Sequence, residues 1–125
     1  MKDKIPHLFT KKQYNRLLAN GQKGLDIDHI PVILMTVPWH SASWLLTAIL
    51  PDNKDILIGL CDLGNGYPEV GYVSIDELLQ IEHPVGLKLE RNKYFKATYP
   101  LSVYVKAARN LGRITISDVD LEPFA

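Results

Sequence analysis

PVILMTVPW (Pro31–Trp39), SWLLTAIL (Ser43–Leu50), ILIGLC (Ile56–Cys61) and EVGYVSI (Glu69–Ile75) are four apolar, β-branched runs in quick succession. The breaks between them are short and polar: His40-Ser41-Ala42, then Pro51-Asp52-Asn53-Lys54-Asp55, then Gly64-Asn65-Gly66-Tyr67-Pro68. Parallel neighbours need a crossover of a dozen residues or more, so breaks this short predict an antiparallel meander. The two glycines of the last break supply positive φ at a tight turn.

Working outward, Thr10 and Gln13 have capping-box spacing, and Tyr14, Leu17 and Leu18 share one helical face. This predicts a helix over residues 10–19, stopped by Asn20-Gly21. Ser74 and Glu77 repeat the capping spacing ahead of Leu78, Leu79 and Ile81, which predicts a short middle helix ending at His83-Pro84-Val85-Gly86. Leu87 to Phe95 reads as a strand or an extended arm. Pro100 to Leu111 reads as a helix, with proline suited to its first turn and Gly112 to its stop. Residues 114–125 read as an extended acidic tail. The expected fold is α+β: one domain with a four- or five-stranded, mainly antiparallel sheet and its helices packed on one face.

Composition narrows the class of protein. The chain has 125 residues, 46% hydrophobic and 22% charged, the balance of one globular domain rather than a disordered tail. A single cysteine excludes an intrachain disulfide framework and cysteine-rich zinc sites. No apolar run is long enough to span a bilayer, and no signal-peptide core follows Met1. The expectation is a soluble cytoplasmic protein with no cofactor.

Net charge is zero, but it is segregated. Residues 1–28 carry +3, residues 29–87 carry −6, residues 88–117 carry +6 and residues 118–125 carry −3. On the last helix Leu101, Tyr104, Val105, Ala108 and Leu111 fall on one side, with Lys106, Arg109 and Arg113 on the other. Lys88, Arg91, Lys93 and Lys96 precede them. This basic segment, 88–113, is the candidate binding surface for phosphates or an acidic protein. Its other reading is a solvated face, or an intramolecular partner for the tail acids Asp118, Asp120 and Glu122. Trp39, Trp44, Tyr67 and Tyr72 are candidate aromatic anchors, and equally candidates for packing the ends of the sheet.

Catalytic and metal motifs are weak. No two of His7, His29, His40 and His83 have helical zinc spacing, and Asp26-Ile27-Asp28-His29 reads as a solvated loop. Cys61 lies in an apolar run and reads as a buried, unreactive core residue. Ser41 and Ser43 flank His40 only as local neighbours, with no nucleophile elbow. Gly64-Asn65-Gly66 leads into a strand and offers no phosphate cradle. If residues 87–95 form a strand, Glu90 and Arg91 point to opposite faces, and Arg91 is expected to pair with an acid of the meander.

The chain also carries the pattern of a known family. Glu69-Val-Gly-Tyr-Val-Ser-Ile-Asp-Glu-Leu78, then Pro84-Val-Gly-Leu87, Leu89-Glu-Arg-Asn-Lys-Tyr-Phe95 and Pro100-Leu101 resemble a bacterial family, domain of unknown function 2958. The family reads E-L-G-Y-F-S-L-x-E-L, then G-P-x-G-L-x-I-E-R-D-x-Y-F, then P-L. Val37-Pro38-Trp39, Trp44 and Ile58-Gly59-Leu60 are similar to its T-P-W, T-W-Y and F-F-G-L. The match covers residues 33–101. It singles out Glu69, Gly71, Tyr72, Gly86, Glu90, Arg91, Tyr94 and Phe95 without giving them a role. Two family acids are replaced, by Asn92 and by Ala48. Members tend to be encoded on plasmids, phages and integrative elements, often near anti-restriction and DNA-processing genes. The resemblance therefore implies an accessory role in a mobile element. The expected partner is a protein, as for a non-enzymatic anti-restriction or anti-CRISPR-like inhibitor. Nucleic acid is the alternative partner, a homodimer is left open, and a small enzyme with a site at His40, Cys61 or Glu90-Arg91 is the remaining reading.

Overall fold

The computed structural model describes residues 8–125. Helix α1 (Lys11–Lys23) precedes the strands β1 (Ile33–Thr36), β2 (Ser43–Leu50), β3 (Asn53–Asp62) and β4 (Glu69–Ser74). Helix α2 (Ile75–Leu79), strand β5 (Glu90–Arg91), helix α3 (Leu101–Leu111) and helix α4 (Asp118–Leu121) follow, and a 3-10 turn, Glu122–Phe124, ends the chain. The five strands form one antiparallel sheet in the order β4-β3-β2-β1-β5, an α+β architecture whose first four strands are the meander.

The sheet is covered on both faces, which corrects the expectation of helices on one. On the first face Ile33, Met35, Trp44, Leu46, Ile49 and Leu57 pack with Leu17 of α1 and Ile75 and Leu78 of α2. On the second, Leu34, Leu45 and Leu60 pack with Val103, Tyr104, Ala107 and Ala108 of α3 and Leu121 of α4. Successive side chains of a strand alternate faces, so β2 is buried on both, residues 44–49 throughout, and its one buried polar side chain, Thr47, donates its hydroxyl to the Ile58 carbonyl.

Helix α1 has its full capping box, with the Gln13 N–H donating to Thr10 Oγ1 and the Thr10 N–H to Gln13 Oε1. It does not stop at Asn20-Gly21. Gly21 is buried against β2, where a Cβ would lie 1.9 Å from the Ile49 carbonyl oxygen. Asn20 donates to the Thr47 carbonyl at 2.8 Å, beside the irregularity between Leu46 and Ala48 in the β2–β3 register. Packing thus holds a stop-signal pair inside the helix, and termination falls on Gly24 at φ 132°.

Two helix starts are tied to carboxylates from distant parts of the chain. Asp28 accepts from both the backbone and the hydroxyl of Ser102 at the start of α3, whose own Pro100 offers no side-chain cap. Asp55 accepts from Ser74 Oγ and from the Asp76 N–H at α2, while Ser74 Oγ accepts from the Glu77 N–H. Helix α3 ends as expected at Gly112, in the left-handed conformation at φ 76°.

The tail is helical rather than extended. Leu121 is buried beside α3 and Phe124 half-buried, so the apolar residues of this acidic end fold back onto the second face. Residues 87–95 contribute only the two-residue β5, and the rest of that stretch is irregular.

Gly21→Ala should lower stability by about 1–3 kcal/mol, the usual range for overpacking a tight contact. Leu121→Ala should cost about 2–5 kcal/mol, as for a buried leucine. Urea denaturation midpoints read both, and an unchanged midpoint for Leu121→Ala would mean the tail is frayed.

Candidate functional site

Of the residues singled out by the family pattern, Glu90 and Arg91 form β5, with Gly86 before it and Tyr94 and Phe95 after it, whereas Glu69, Gly71 and Tyr72 lie in β4. Arg91 pairs with Met35 and Glu90 with Thr36, so the two side chains project to opposite faces. Arg91 Nη1 donates to the Leu8 carbonyl at 3.0 Å, which replaces the expected partner among the meander acids with a backbone oxygen ahead of α1. Two clefts flank the strand. One of about 370 Å³ is lined by Leu8, Leu89, Glu90, Arg91 and Lys93. The other, about 390 Å³, is lined by Thr36, Glu90, Arg91, Asn92, Lys93 and Tyr94.

Local hydrogen bonds decide what this edge displays. Asn92 donates its N–H to the Leu34 carbonyl and accepts the Tyr94 N–H on its side chain at 2.9 Å. That turn throws Tyr94 outward, where it is 95% exposed, while Phe95 turns inward to meet the Tyr104 ring at 6.3 Å. An aspartate, as in the family pattern, could accept the same N–H, so Asn92 preserves the turn. The other replaced acid, Ala48, is buried in β2. Before the edge, the His83 N–H donates to the Leu87 carbonyl and the Gly86 N–H to the His83 carbonyl, with Gly86 at φ 89°. This tight turn leaves Val85 and Leu87 exposed. Lys88 follows them, exposed, in an isolated bridge to Glu82.

The basic segment 88–113 is not one surface. Arg91 and Lys93 lie at the β5 edge. Lys96 lines a separate cleft of about 300 Å³ with Lys12, Gln13 and Arg16 of α1. Arg109 lies against Gly66, Tyr67, Pro68 and Glu69, and Arg113 against the turns around Ser41 and Gly64. Lys106 is exposed on α3. β4 and β5 are opposite edges, four strand spacings or roughly 19 Å apart, so the residues near them cannot share one ligand-sized contact. Lys12 and Arg16 were not among the sequence candidates, although their i, i+4 spacing on a helix with an apolar face was the signal for them.

The acidic tail does not cover the α3 stripe. Asp120 accepts from Thr115 Oγ1 at 2.7 Å. Desolvation, together with the nearby carboxylates of Asp118 and Glu122, holds the phenol of Tyr99, just ahead of α3, above its usual pKa.

The structure also assembles a polar cluster at the end of the sheet. Asp62 is 3% exposed and accepts the Gly64 N–H at 2.8 Å and the Ile114 N–H at 3.1 Å. A Cβ on Gly64 would meet Ser41 Oγ at 2.4 Å and His40 Cε1 at 3.1 Å. Both Asp62 oxygens are occupied by backbone donors, and His40 Nδ1 accepts the Ala42 N–H. The arrangement clamps the β1–β2 turn, the β3–β4 turn and the end of α3 together.

The remaining candidates have structural places. Asp28 caps α3, and His29 Nε2 lies 2.8 Å from the Gly24 carbonyl. His7 lies outside the described residues. Among the described residues, no three of His, Cys, Asp and Glu gather as a metal site, and no helix is long and apolar enough to cross a membrane. Cys61 is half-buried rather than buried, and burial pushes its thiol pKa up. Of the aromatics, Trp44 is core and Trp39 packs edge-on against His83 at 5.3 Å. Tyr67 and Tyr72 are 77% and 64% exposed, and neither packs in the core. Glu69 and Gly71 lie beside Tyr72 in β4, at the edge opposite β5.

A five-stranded antiparallel sheet with helices on both faces and polar clefts at its short edge defines the class as α+β. The chain belongs to the family described as Protein of unknown function (DUF2958), whose model matches residues 8–115. No curated protein and no solved structure matches it.

The raised Cys61 pKa leaves little thiolate at neutral pH. Labelling of native protein by a thiol reagent should be slow at pH 7. It should still be rising with pH where an exposed cysteine has levelled off, and unfolding should accelerate it. Rapid native labelling at pH 7 would contradict this.

Proposed function

We propose that this protein is a small, non-enzymatic binding protein of a mobile genetic element, acting in the cytoplasm through protein contact at the β5 edge. The mobile-element part rests on the company that the family keeps. The contact surface rests on one observation: the Asn92 turn at the end of β5 holds Tyr94 in full exposure. Lys93 lines the same cleft as Tyr94, and Val85, Leu87 and Lys88, earlier in the same stretch of chain, are exposed as well. An exposed aromatic anchor next to a lysine suits a partner surface that offers an apolar pocket with an acid beside it. Obstruction of a host restriction or CRISPR-type complex is a role that such a contact can perform without chemistry of its own. A catalytic reading gains no support from Glu90 and Arg91 on opposite faces.

Nucleic acid is the second reading, and a specific grouping favours keeping it. Lys12, Arg16 and Lys96 converge on one cleft from two chain segments. A salt titration with random duplex and single-stranded DNA separates the readings. Phosphate neutralisation gives a slope of log K against log salt of about −0.9 per phosphate on duplex. Lys12→Glu with Arg16→Glu should abolish that dependence if the cleft tracks phosphates.

For the protein reading, wild type and a Lys93→Glu, Tyr94→Ala variant serve as baits in extract of the native host. A protein retained by wild type and lost with the variant is the expected outcome, with loss of at least tenfold, about 1.4 kcal/mol. Equal retention by both baits would remove the β5 edge from the proposal.

A further inference from the structure

The two edges of the sheet are finished differently. Exposed strand edges invite pairing with other chains, and proteins blunt them by shortness, charge, proline or bulges. β5 is two residues long and both are charged. β4 has six residues, EVGYVS, with no lysine or proline inside it and an unbroken register against β3. Val70 and Tyr72 project from the same face of β4 and are 46% and 64% exposed. Tyr67 and Leu63, in the turn leading into β4, are exposed as well, and a Cβ on Gly71 would meet nothing within 4 Å.

Charge differs between the two ends of this edge. At its start, Arg109 lies against Gly66–Glu69, with Lys106 one turn earlier on α3 and Arg113 by the adjoining turn, against a single exposed acid, Glu69. At its finish, Asp55 bonds Ser74 and the Asp76 N–H, and Asp52 and Glu77 are also exposed, against a single lysine, Lys54. One end is basic and the other acidic.

We propose that β4 pairs antiparallel with β4 of a second copy of this chain, about a twofold axis at Gly71, joining two sheets into one. An isologous contact needs a self-complementary surface, and an edge with opposite charges at its two ends meets that condition only when the copies run antiparallel. With Gly71 opposite Gly71, Val70 of each copy faces Tyr72 of the other, an aromatic on a β-branched residue, on the face where both are otherwise exposed. The same register sets residues 66–69 opposite residues 73–76 of the second copy. Arg109 of each copy then meets Asp76 and Asp55 of the other, twice over. This contact stands apart from the β5 edge and can be occupied at the same time.

Sedimentation of the full chain across the micromolar to millimolar range tests it, with circular dichroism and the melting temperature as folding controls. Wild type should pass from 14.1 kDa to twice that mass as concentration rises. Tyr72→Lys, at an exposed position, should keep the fold and weaken association at least tenfold. Arg109→Glu and Asp76→Lys should each weaken it, because each homodimer then holds two like-charge contacts. An equimolar mixture of those two variants should regain the wild-type dimer, since both contacts become attractive in the mixed pair. A wild-type chain that stays monomeric throughout overturns the proposal. So does a dimer indifferent to Tyr72→Lys, or one whose charge variants fail to rescue each other on mixing.

Discussion

Strand β2 is the element on which everything else rests. It is the middle strand of five, with α1 against one face and α3 against the other. A strand covered on both faces has no room for a charge, and its residues from Trp44 to Ile49 have none. The rest of the chain is arranged around that dry slab. Among the described residues, Asp62 is the buried charged side chain, at the end of β3, and the others lie on the helices, in the loops, at strand ends and at the sheet edges. No cleft among those described reaches into the sheet.

Much of this was legible in the sequence, because the signals were local. The four β-branched runs and their turn residues predicted the meander, and Thr10-Gln13, Ser74-Glu77 and Gly112 predicted helix ends that the structure uses. The two-sided burial is also written there: SWLLTAIL shows no alternation, which is how a strand covered on both faces reads. Asn20-Gly21 misled for a different reason. Its stop signal is genuine locally, but the closeness of α1 to the Ile49 carbonyl requires a residue without a side chain at that point of the helix. In the tail, the alternation of Asp118, Asp120 and Glu122 suggested an extended segment, while Leu121 and Phe124, three apart, held the helical signal that packing followed.

The candidate site was less legible, because nearness in sequence is a poor guide to nearness in space. Seven cations between Lys88 and Arg113 looked like one patch, yet the fold deals them to both edges of the sheet and to a helix back. Conversely, Lys12 and Lys96 lie far apart in the chain and line one cleft. Asp62 shows the same limit. Nothing in Cys-Asp-Leu-Gly announces a carboxylate that will hold the N–H of Ile114, and the contact appears only when α3 crosses the second face. Arg91 was readable as a structural residue, but its partner, a carbonyl oxygen, carries no sequence signature at all.

The long-range clamps also govern the order in which the chain can assemble. Asp28 to Ser102 spans 74 residues, Asp62 to Ile114 spans 52, and Arg91 to Leu8 spans 83. Contacts of such separation slow folding, since the entropy of closing each loop is lost before its contact forms. During synthesis the sheet strands emerge well before α3, and Leu34, Leu45 and Leu60 then have nothing to lie against. A nascent chain at that stage presents a bare apolar sheet face to its surroundings, the kind of surface that chaperones hold and that aggregates when they do not. How readily this protein can be produced is thus decided by how soon one late helix arrives.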